Sequence, residues 1–332
     1  MKIALVGPGI MPIPPPGWGA VEILIWDYAV ILKEMGHEVD ILNEIRSCPE
    51  DQSGLHMPYC QRLVEKVNSG DYDFVHVHYD CLFHLLPFFI CPKIAMTSHY
   101  PYIDQPEKHR GDGYSGIYDF MVQQTGFLNF VLAEKDARAL LASGAQPEWI
   151  RTLKNGVKSD AFRYLPTATW DKTLYMGKIT PRKNQAKYQS LTGVEFVGGC
   201  DDARFDKGYG NYLGAWTLEQ VYHGLTEYTN LLLISEVEAD PLVVKEALVA
   251  GLGVVLNKGS SACLDSGVVG GYPDFITVLE EERLEDREYI QRKIEENREI
   301  CRQEGVRNAI REYGIHWFDM KKVIEGYLSI IQ

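Results

Sequence analysis

The fold is decided by three stretches near the start of the chain: KIALVG (2–7), AVEILIWDYAVILKEMG (20–36) and HEVDIL (37–42). The first is apolar and β-branched, which predicts a buried strand that ends in a loop. In the second, apolar residues recur at helical spacing up to Met35, and Gly36 follows as a C-terminal cap. The third is again strand-like. Strand, helix, glycine and strand in this order predict a parallel sheet covered by helices on both faces.

The same alternation continues beyond residue 42 and divides the chain into two α/β halves. Further strands of the first half are predicted at 74–78, 93–97 and 129–133, with a helix near 118–125. Strands of the second half are predicted at 173–176, 194–197, 231–234 and 253–256, with helices near 218–227 and 242–250. Polar, Pro- and Thr-containing sequence at 151–171 predicts a linker, and 316–331 predicts a final amphipathic helix.

Composition and charge exclude several classes of function. The 332 residues are 45% hydrophobic and 24% charged, which is typical of a globular protein with room for two domains. The net charge of −13 disfavours binding to nucleic acid or to an anionic membrane surface. Between residues 151 and 187, however, nine basic residues stand against two acidic ones, and this local charge of +7 suits a small acidic ligand.

Cysteine usage and hydropathy indicate the cellular location. The seven cysteines are an odd number and no pair has the spacing of a zinc or thioredoxin-type site, so we expect reduced thiols. No apolar run approaches the ~20 residues of a membrane span, and MKIALVG (1–7) is predicted to be a strand rather than a signal peptide. We therefore expect a cytoplasmic protein with no integral membrane segment and no nucleic-acid partner.

Two carboxylates lie around a predicted strand-to-helix turn in the second half. Glu238 follows the strand at 231–234, Pro241 opens the next helix, and Glu246 lies on that helix. Such a site suits a hydroxyl-rich ligand, because carboxylates accept hydrogen bonds from sugar hydroxyls while the backbone N–H groups of a helix N-terminus receive phosphate. The alternative is that both residues are ordinary cap and surface charges.

A glycine and two lysines follow the first strand of the second half, in Gly177-Lys178-Ile-Thr-Pro-Arg-Lys183. The glycine permits a ligand to approach the backbone closely. The two ammonium groups can neutralise a diphosphate, including the charge that builds on a leaving group. A solvated basic loop is the alternative interpretation.

The first half lacks a dinucleotide-binding fingerprint and carries a histidine pair instead. Pro12 stands where the third glycine of G-x-G-x-x-G belongs. His76 and His78 alternate along a strand, so both are expected on one face near its end. Since no third ligand has suitable spacing, we expect the wall of a polar ligand site rather than a metal site.

Taken in order, these motifs resemble the retaining glycosyltransferases of family 4. The family's E-x7-E motif is similar to Glu238 and Glu246. Its G-R-x4-K element is similar to Gly177-Lys178 with Lys183, where Lys178 stands in place of arginine.

Further elements of the family have counterparts elsewhere in the chain. The P-x-x-G-G-x-E loop is similar to residues 14–22, in which Ala20 replaces the second glycine. The GHEV strand entry is similar to 36–39, the NG(I/V) element to 155–157, and the final crossover helix to the segment that starts at Trp317. The resemblance therefore covers nearly the whole chain.

The resemblance implies the GT-B fold, an α/β architecture of two Rossmann-like, doubly wound parallel-sheet domains. The two domains of that fold face each other across a cleft, and a C-terminal helix crosses back to the first domain. On this basis we expect an acceptor-side domain at 1–156, a nucleotide-sugar-binding domain at 157–312 and a returning helix at 313–332.

The resemblance also implies a role for each matching residue. Lys178 and Lys183 would hold the donor diphosphate beside Gly177, Glu238 would bind the transferred sugar, and Glu246 would bind the ribose hydroxyls. His99, at the end of a family-like T-x-H strand, would face the sugar. The remaining residues are Gly19, Ala20, Ala239, Asp240, Pro241 and Leu242 for the donor, and His78 and Trp18 for the acceptor.

The function implied is transfer of a hexose from a nucleoside-diphosphate sugar to a hydroxyl of a saccharide or similar acceptor, with retention of anomeric configuration. The resemblance implies no metal and no cofactor, and UDP is the commonest donor nucleotide in the family. Two alternatives stay open from the sequence. One is a sugar-nucleotide epimerase or hydrolase of the same fold, and the other is a non-catalytic nucleotide-sugar-binding protein. The sequence does not indicate an oligomeric state.

Overall fold

The computed structural model describes residues 1–16, 19–46, 57–109, 111, 114–264 and 271–332. The chain divides into two compact units: residues 1–155 with 320–332 form the first, and residues 156–319 form the second. Trp18, a predicted acceptor contact, lies outside the described residues. The described cysteine side chains, at positions 60, 81, 91, 200 and 301, are thiols that form no disulfide bond.

The first unit contains a parallel sheet with helices packed on it. Its described strands are β1 (Lys2–Val6), β2 (Glu38–Leu42), β3 (Phe74–Val77), β4 (Lys93–Thr97), β5 (Leu128–Val131) and β6 (Ile150–Thr152), in the order β2-β1-β3-β4-β5-β6. Its described α-helices before residue 155 are α1 (Ala20–Glu34), α2 (Met57–Ser69), α3 (Pro106–His109), α4 (Ser115–Gln123) and α5 (Glu134–Ala142). Short 3-10 helices span Asp80–Phe88 and Pro147–Trp149.

The second unit contains another parallel sheet. Its described strands are β7 (Thr173–Met176), β8 (Val194–Val197), β9 (Asn230–Leu233), β10 (Gly253–Leu256) and β11 (Ile276–Val278), in the order β11-β10-β9-β7-β8. Its described α-helices are α6 (Gln185–Tyr188), α7 (Leu218–Gly224), α8 (Leu242–Val249), α9 (Lys258–Ser261), α10 (Arg287–Arg302) and α11 (Val306–Phe318). Short 3-10 helices span Ser159–Ala161, Pro181–Lys183, Leu225–Glu227, Ala262–Leu264 and Glu281–Arg283. The prediction of two α/β domains with parallel sheets is confirmed.

Helix α12 (Met320–Ile331) returns the chain to the first unit. Its buried face, which includes Ile324 and Tyr327, packs with α1 on the side of the sheet to which Ile3 and Leu5 point. The alternate residues of β1 point to the opposite side, where α2, α4 and α5 cover the sheet. The period of two along the strand thus places a core on each face of the sheet.

Two predictions at the boundaries need correction. The segment 151–171 is not a plain linker, because Val157 and Phe162 are buried in the core of the second unit and β6 begins at Ile150. The returning helix starts at Met320 and not at 313, because residues 306–318 form α11, which packs on α8 inside the second unit.

Within the described ranges, none of the helices combines the length and the apolar character that crossing a bilayer requires.

Candidate functional site

The predicted donor residues of the second unit lie in loops that follow two neighbouring strands. Gly177 and the 3-10 helix Pro181–Lys183 follow β7, and Glu238 follows β9. Because β7 and β9 are adjacent and parallel, both loops leave the same edge of the sheet. This carboxyl edge is where open α/β sheets bind their ligands.

The centre of this site is an ion pair between Lys183 and Glu238. Lys183 Nζ donates to Glu238 Oε1 at 2.8 Å, and the side chains are 15% and 9% exposed. Arg182 Nη1 lies 3.5 Å from the other carboxylate oxygen. Burial by itself would raise the pKa of Glu238, but the charges of Lys183 and Arg182 outweigh it and hold that pKa below its usual value. Glu238 is therefore an anion at neutral pH, with two cations against it.

Hydrogen bonds to backbone atoms fix the two loops to each other. The buried Tyr175 hydroxyl of β7 accepts from Ile234 N at 3.0 Å and donates to the carbonyl oxygen of Lys183. Glu236 N donates to Arg182 O at 2.8 Å. The Arg182 guanidinium in turn donates to the carbonyl oxygen of Val237. These bonds hold the two loops together and so position the side chains of Lys183 and Glu238 against each other.

Two glycines allow this close packing. Gly177 has a φ of +144°, and a Cβ there would lie 3.5 Å from Lys183 Nζ, so the lysine side chain covers the open face of the glycine. Gly198, after β8, has a φ of +147°, and a Cβ there would lie 2.0 Å from Gly177 O. Gly198 was not singled out from the sequence, although a glycine pair directly after a strand is a usable signal.

Substitution of Gly198 by alanine is therefore expected to destabilise the second unit by about 2 kcal/mol or more, because it adds a backbone clash to a φ that favours glycine. Gly199→Ala is a matched control, since a Cβ at Gly199 meets nothing within 4 Å and its φ is ordinary. We expect the control to change stability by less than about 0.5 kcal/mol. Urea unfolding of both variants measures the difference, and equal effects would contradict the packing described here.

Lys178, the other predicted phosphate ligand, is engaged by a neighbouring carboxylate. Its Nζ lies 2.5 Å from Asp201 Oδ2, and its side chain is about half exposed. Asp201 lies in the segment that follows β8. Both predicted phosphate-binding lysines thus carry carboxylate partners, which a diphosphate would have to replace.

The turn before α8 is held by a second, fully buried ion pair. Lys245 Nζ donates to Asp240 Oδ2 at 2.6 Å, and both side chains are 0% exposed. Lys245 Nζ also lies 5.3 Å from the ring centroid of Phe318. Asp240 therefore contributes to the predicted donor turn through its backbone, while its side chain anchors the turn to α8.

The other predicted residues of this turn frame the start of α8. Ala239 and Pro241 are buried, and Pro241 is the N-cap, which offers no side-chain acceptor to the first N–H groups of the helix. Leu242 is the first helical residue, and Glu246 lies one turn further on, half-buried. The N-terminus of α8 thus follows Glu238 in the chain, as the sequence predicts.

In the first unit, Gly19 and Ala20 form the start of α1. The positive φ of 139° falls on Gly19, the N-cap, and Ala20 is the first helical residue with an exposed side chain. A Cβ at Gly19 would lie 3.0 Å from the Glu22 carboxylate, so this side chain reaches back over the helix N-terminus. Burial raises the pKa of Glu22 above its usual value, although a hydrogen bond from its own backbone N–H acts to lower that pKa. A phosphate at Gly19 would therefore meet an internal carboxylate.

The buried His76 and His78 and the half-buried His99 cluster at the carboxyl ends of β3 and β4. The ring centroids of His76 and His78 are 3.8 Å apart, which confirms that both lie on one face, and His99 lies 6.1 Å from His78. His76 is satisfied by Thr97 Oγ1 at 2.7 Å and by the Tyr327 hydroxyl of α12 at 3.1 Å. Within the described residues, both ring nitrogens of His78 and Nε2 of His99 have no partner. Such orphaned buried atoms are candidate contacts of a polar ligand.

These histidines make stability depend on pH. Burial lowers the pKa of His99 to about 4 and that of His76 to about 3, and lowers the pKa of His78 well below its usual value. In the unfolded chain these histidines bind protons below their ordinary pKa of about 6.5, while in the folded chain they stay neutral. The free energy of unfolding therefore falls as the pH drops towards 4. Asp80 works in the opposite direction, because burial raises its pKa to about 6.

We expect His99→Asn to reduce the loss of stability between pH 7 and pH 5 by about 2 kcal/mol. Chemical denaturation at the two pH values measures this difference for the wild type and the variant. His223→Asn, at an exposed histidine of α7, should leave the pH dependence unchanged. An identical pH dependence in His99→Asn and the wild type would mean that His99 is not held neutral by burial.

The described residues contain no group of three or more His, Cys, Asp or Glu side chains that could hold a metal ion. No protein-family model matches the sequence, and a search of curated proteins finds no relative.

Solved structures, in contrast, are similar to nearly the whole chain. The sucrose-phosphate synthase of Thermosynechococcus elongatus has a TM-score of 0.77 at 14% identity, over 99% of this chain and 98% of that chain. Anabaena HepE in complex with UDP and glucose has a TM-score of 0.70 at 15% identity, over 99% of both chains. AviGT4, a glycosyltransferase involved in avilamycin A biosynthesis, has a TM-score of 0.68 at 16% identity, over 99% of this chain and 96% of that chain. The chain therefore has the GT-B fold of glycosyltransferases.

Proposed function

We propose that the protein is a glycosyltransferase that moves a hexose from a nucleoside-diphosphate sugar to an acceptor hydroxyl and retains the anomeric configuration. One observation carries the proposal: the buried carboxylate of Glu238 and the ammonium group of Lys183 are paired, at 2.8 Å, at the carboxyl edge of the second sheet. A sugar nucleotide carries the two complementary groups. Its hydroxyls replace Lys183 as partners of Glu238, and its diphosphate replaces Glu238 as the partner of Lys183.

The proposed chemistry uses these charges at the leaving group. The bond between the anomeric carbon and the diphosphate oxygen breaks, and the acceptor oxygen bonds to the same face of the sugar. The departing diphosphate takes the proton of the acceptor hydroxyl. Lys183 and Lys178 stabilise the negative charge that develops on the diphosphate, and Glu238 orients the sugar through its hydroxyls.

The donor and the remaining roles follow from the same proposal. A UDP-hexose is the first donor to test, because the structurally similar HepE is a complex with UDP and glucose. Glu246 is assigned to the ribose hydroxyls and His99 to the sugar, and these two roles stay predictions. The acceptor is a saccharide or another hydroxyl compound bound by the first unit, with His78 as a contact. No metal or cofactor has a role in the proposal.

The test combines binding and turnover. Thermal unfolding against UDP, GDP, ADP and CMP sugars identifies the donor, since a ligand at 100 times its dissociation constant adds about 2.7 kcal/mol to stability. Release of nucleotide is then measured with an acceptor panel and without any acceptor, and NMR determines the anomeric configuration of the product. Acceptor-dependent release with retention supports the proposal. Rapid hydrolysis or epimerisation of the donor without an acceptor would favour the epimerase or hydrolase instead. Binding without turnover would favour the non-catalytic binding protein.

A further inference from the structure

Arg46 is a buried cation of the first unit that lacks a counter-ion. It lies beyond the end of β2 and is 2% exposed. Its Nε, Nη1 and Nη2 atoms are buried without any hydrogen-bond partner, and it forms no ion pair with a carboxylate of the described ranges. A guanidinium group cannot neutralise itself by losing a proton, so its burial needs a compensating anion.

Two described acidic residues near Arg46, Glu44 and Asp80, have other partners. Glu44 pairs with Arg62 at 2.8 Å and with Lys66 at 3.4 Å, on the protein surface. Asp80 accepts a hydrogen bond of 2.5 Å from Ser98 Oγ. Neither carboxylate forms a hydrogen bond with the guanidinium of Arg46.

Four described side chains within reach of the Arg46 charge are neutral aromatic or thiol groups. Arg46 Cζ lies 5.9 Å from the ring centroid of Tyr79. Burial raises the pKa of Tyr59, Cys60, Tyr79 and Cys81, and the Arg46 charge opposes this rise in each case, so all four side chains lie within its field. An aromatic face compensates a buried cation only in part. Among the described residues, the guanidinium of Arg46 is thus a positive centre with no negative partner.

The backbone is shaped to admit the Arg46 side chain at this position. Arg46 N donates to Gly9 O at 2.8 Å, and Gly9 has a φ of +70°. A Cβ at Gly9 would lie 3.0 Å from Arg46 Cγ and 3.0 Å from Tyr59 Cζ. The Tyr59 hydroxyl donates to Gly7 O at 2.9 Å and so is not a ligand of the guanidinium. A glycine is therefore favoured at position 9, because a larger residue there would crowd the side chains of Arg46 and Tyr59.

Arg46 also shares a sheet edge with the unpartnered histidines. It follows β2, while His78 and His99 follow β3 and β4 in the same parallel sheet, and Tyr79 beside its guanidinium is the chain neighbour of His78. Polar groups without partners therefore lie at two places along one edge. A ligand with an anionic end and a hydroxyl-bearing end would satisfy both places.

We propose that Arg46 is the anchor of an oxyanion-binding site in the first unit, and that the ligand carries a phosphate or a carboxylate group. Five guanidinium N–H donors in a planar fork match the oxygens of either group. Assigning this group to the sugar acceptor rests on the proposed function. The acceptor is then an anionic saccharide or another anionic hydroxyl compound rather than a neutral one.

To test this, thermal unfolding of the protein is measured at increasing concentrations of sodium phosphate and, separately, of sodium acetate. Sodium chloride keeps the ionic strength constant. In the wild type we expect the midpoint of thermal unfolding to rise by about 3–5 °C for each tenfold excess of the preferred anion over its dissociation constant. Arg46→Met should abolish this rise, and Arg46→Lys should retain part of it. Arg138→Met, at an exposed arginine of α5, is the control and should behave as the wild type.

The Arg46→Met variant gives a second readout without any anion. Because it removes an uncompensated buried charge and keeps an apolar side chain of similar length, it should unfold at a temperature equal to or above that of the wild type. Two results would overturn the proposal. One is an equal response of Arg46→Met and the wild type to the anion. The other is a large loss of stability in Arg46→Met without anion, because it would mean that the chain itself neutralises Arg46. Neither readout needs a donor or turnover, so failure of the proposed transferase activity would be a separate result.

Discussion

Replacing Lys183 by alanine is expected to lower the rate of sugar transfer by about 10²–10³-fold. Lys183 is less exposed than Lys178, the other predicted phosphate ligand after β7, and the two hydrogen-bonded loops hold it in place. Loss of one preorganised charge beside a developing oxyanion costs about 3–4 kcal/mol of transition-state stabilisation. The measurement is kcat/KM from nucleotide release in the presence of the acceptor, with circular dichroism to verify the fold.

Two variants control this experiment. Lys187→Ala removes a surface lysine that pairs with Glu285 at 2.5 Å, and the rate should change less than about twofold because exposed pairs contribute little. Lys183→Arg keeps the positive charge and should recover part of the rate. If Lys183→Ala stays folded and transfers sugar at the wild-type rate, Lys183 has no part in leaving-group stabilisation.

Replacing Lys245 by methionine is expected to destabilise the second unit by about 3–5 kcal/mol, because it leaves the carboxylate of Asp240 buried without its cation. Both side chains of this pair are fully buried, so water cannot take over the role of the lysine. Urea unfolding provides the free energy of unfolding, and the loss should appear in the transition of the second unit.

The double substitution Asp240→Leu with Lys245→Met separates an unpaired charge from a simple packing defect. A hydrophobic pair of similar volume removes both charges, so we expect the double variant to lie within about 1 kcal/mol of the wild type. Lys293→Met, which removes an exposed partner of Glu296, is the surface control and should cost less than about 1 kcal/mol. Additive losses in the double variant would show that the ion pair is not the source of the effect.

Local patterns were sufficient for most of the strands and for the loops that carry the site. The strands at 93–97, 173–176, 194–197 and 253–256 have the predicted bounds. Each is a run of four or five largely apolar residues, which is short enough to favour a strand over a helix. The helix α1, with Gly36 beyond its end at a φ of +86°, also follows the prediction closely.

The boundaries failed where the local pattern was continuous or misleading. Helices α11 and α12 are separated only by Asp319, whose extended backbone breaks the helix without a glycine or proline. The apolar stripe therefore appears continuous in the sequence. In 151–171 the polar composition conceals Val157 and Phe162, whose burial depends on contacts with distant residues.

The ion pairs could not be predicted, because each depends on the tertiary structure. Lys183 and Glu238 are 55 residues apart in the sequence and meet only because β7 and β9 are neighbours in the sheet. The sequence indicated that both residues bind a ligand but not that each is the other's partner. Arg46 belongs to no periodic pattern, and only its buried position distinguishes it from a surface arginine.

The most direct test of the central claim, that the loops after β7 and β9 form a sugar-nucleotide site, is a crystal structure with UDP-glucose bound. We expect a β-phosphate oxygen about 3 Å from Lys183 Nζ, with Lys178 also in reach of the diphosphate and the Glu238 carboxylate accepting hydrogen bonds from the sugar. A diphosphate bound away from both lysines, with the Lys183–Glu238 pair intact, would contradict the account.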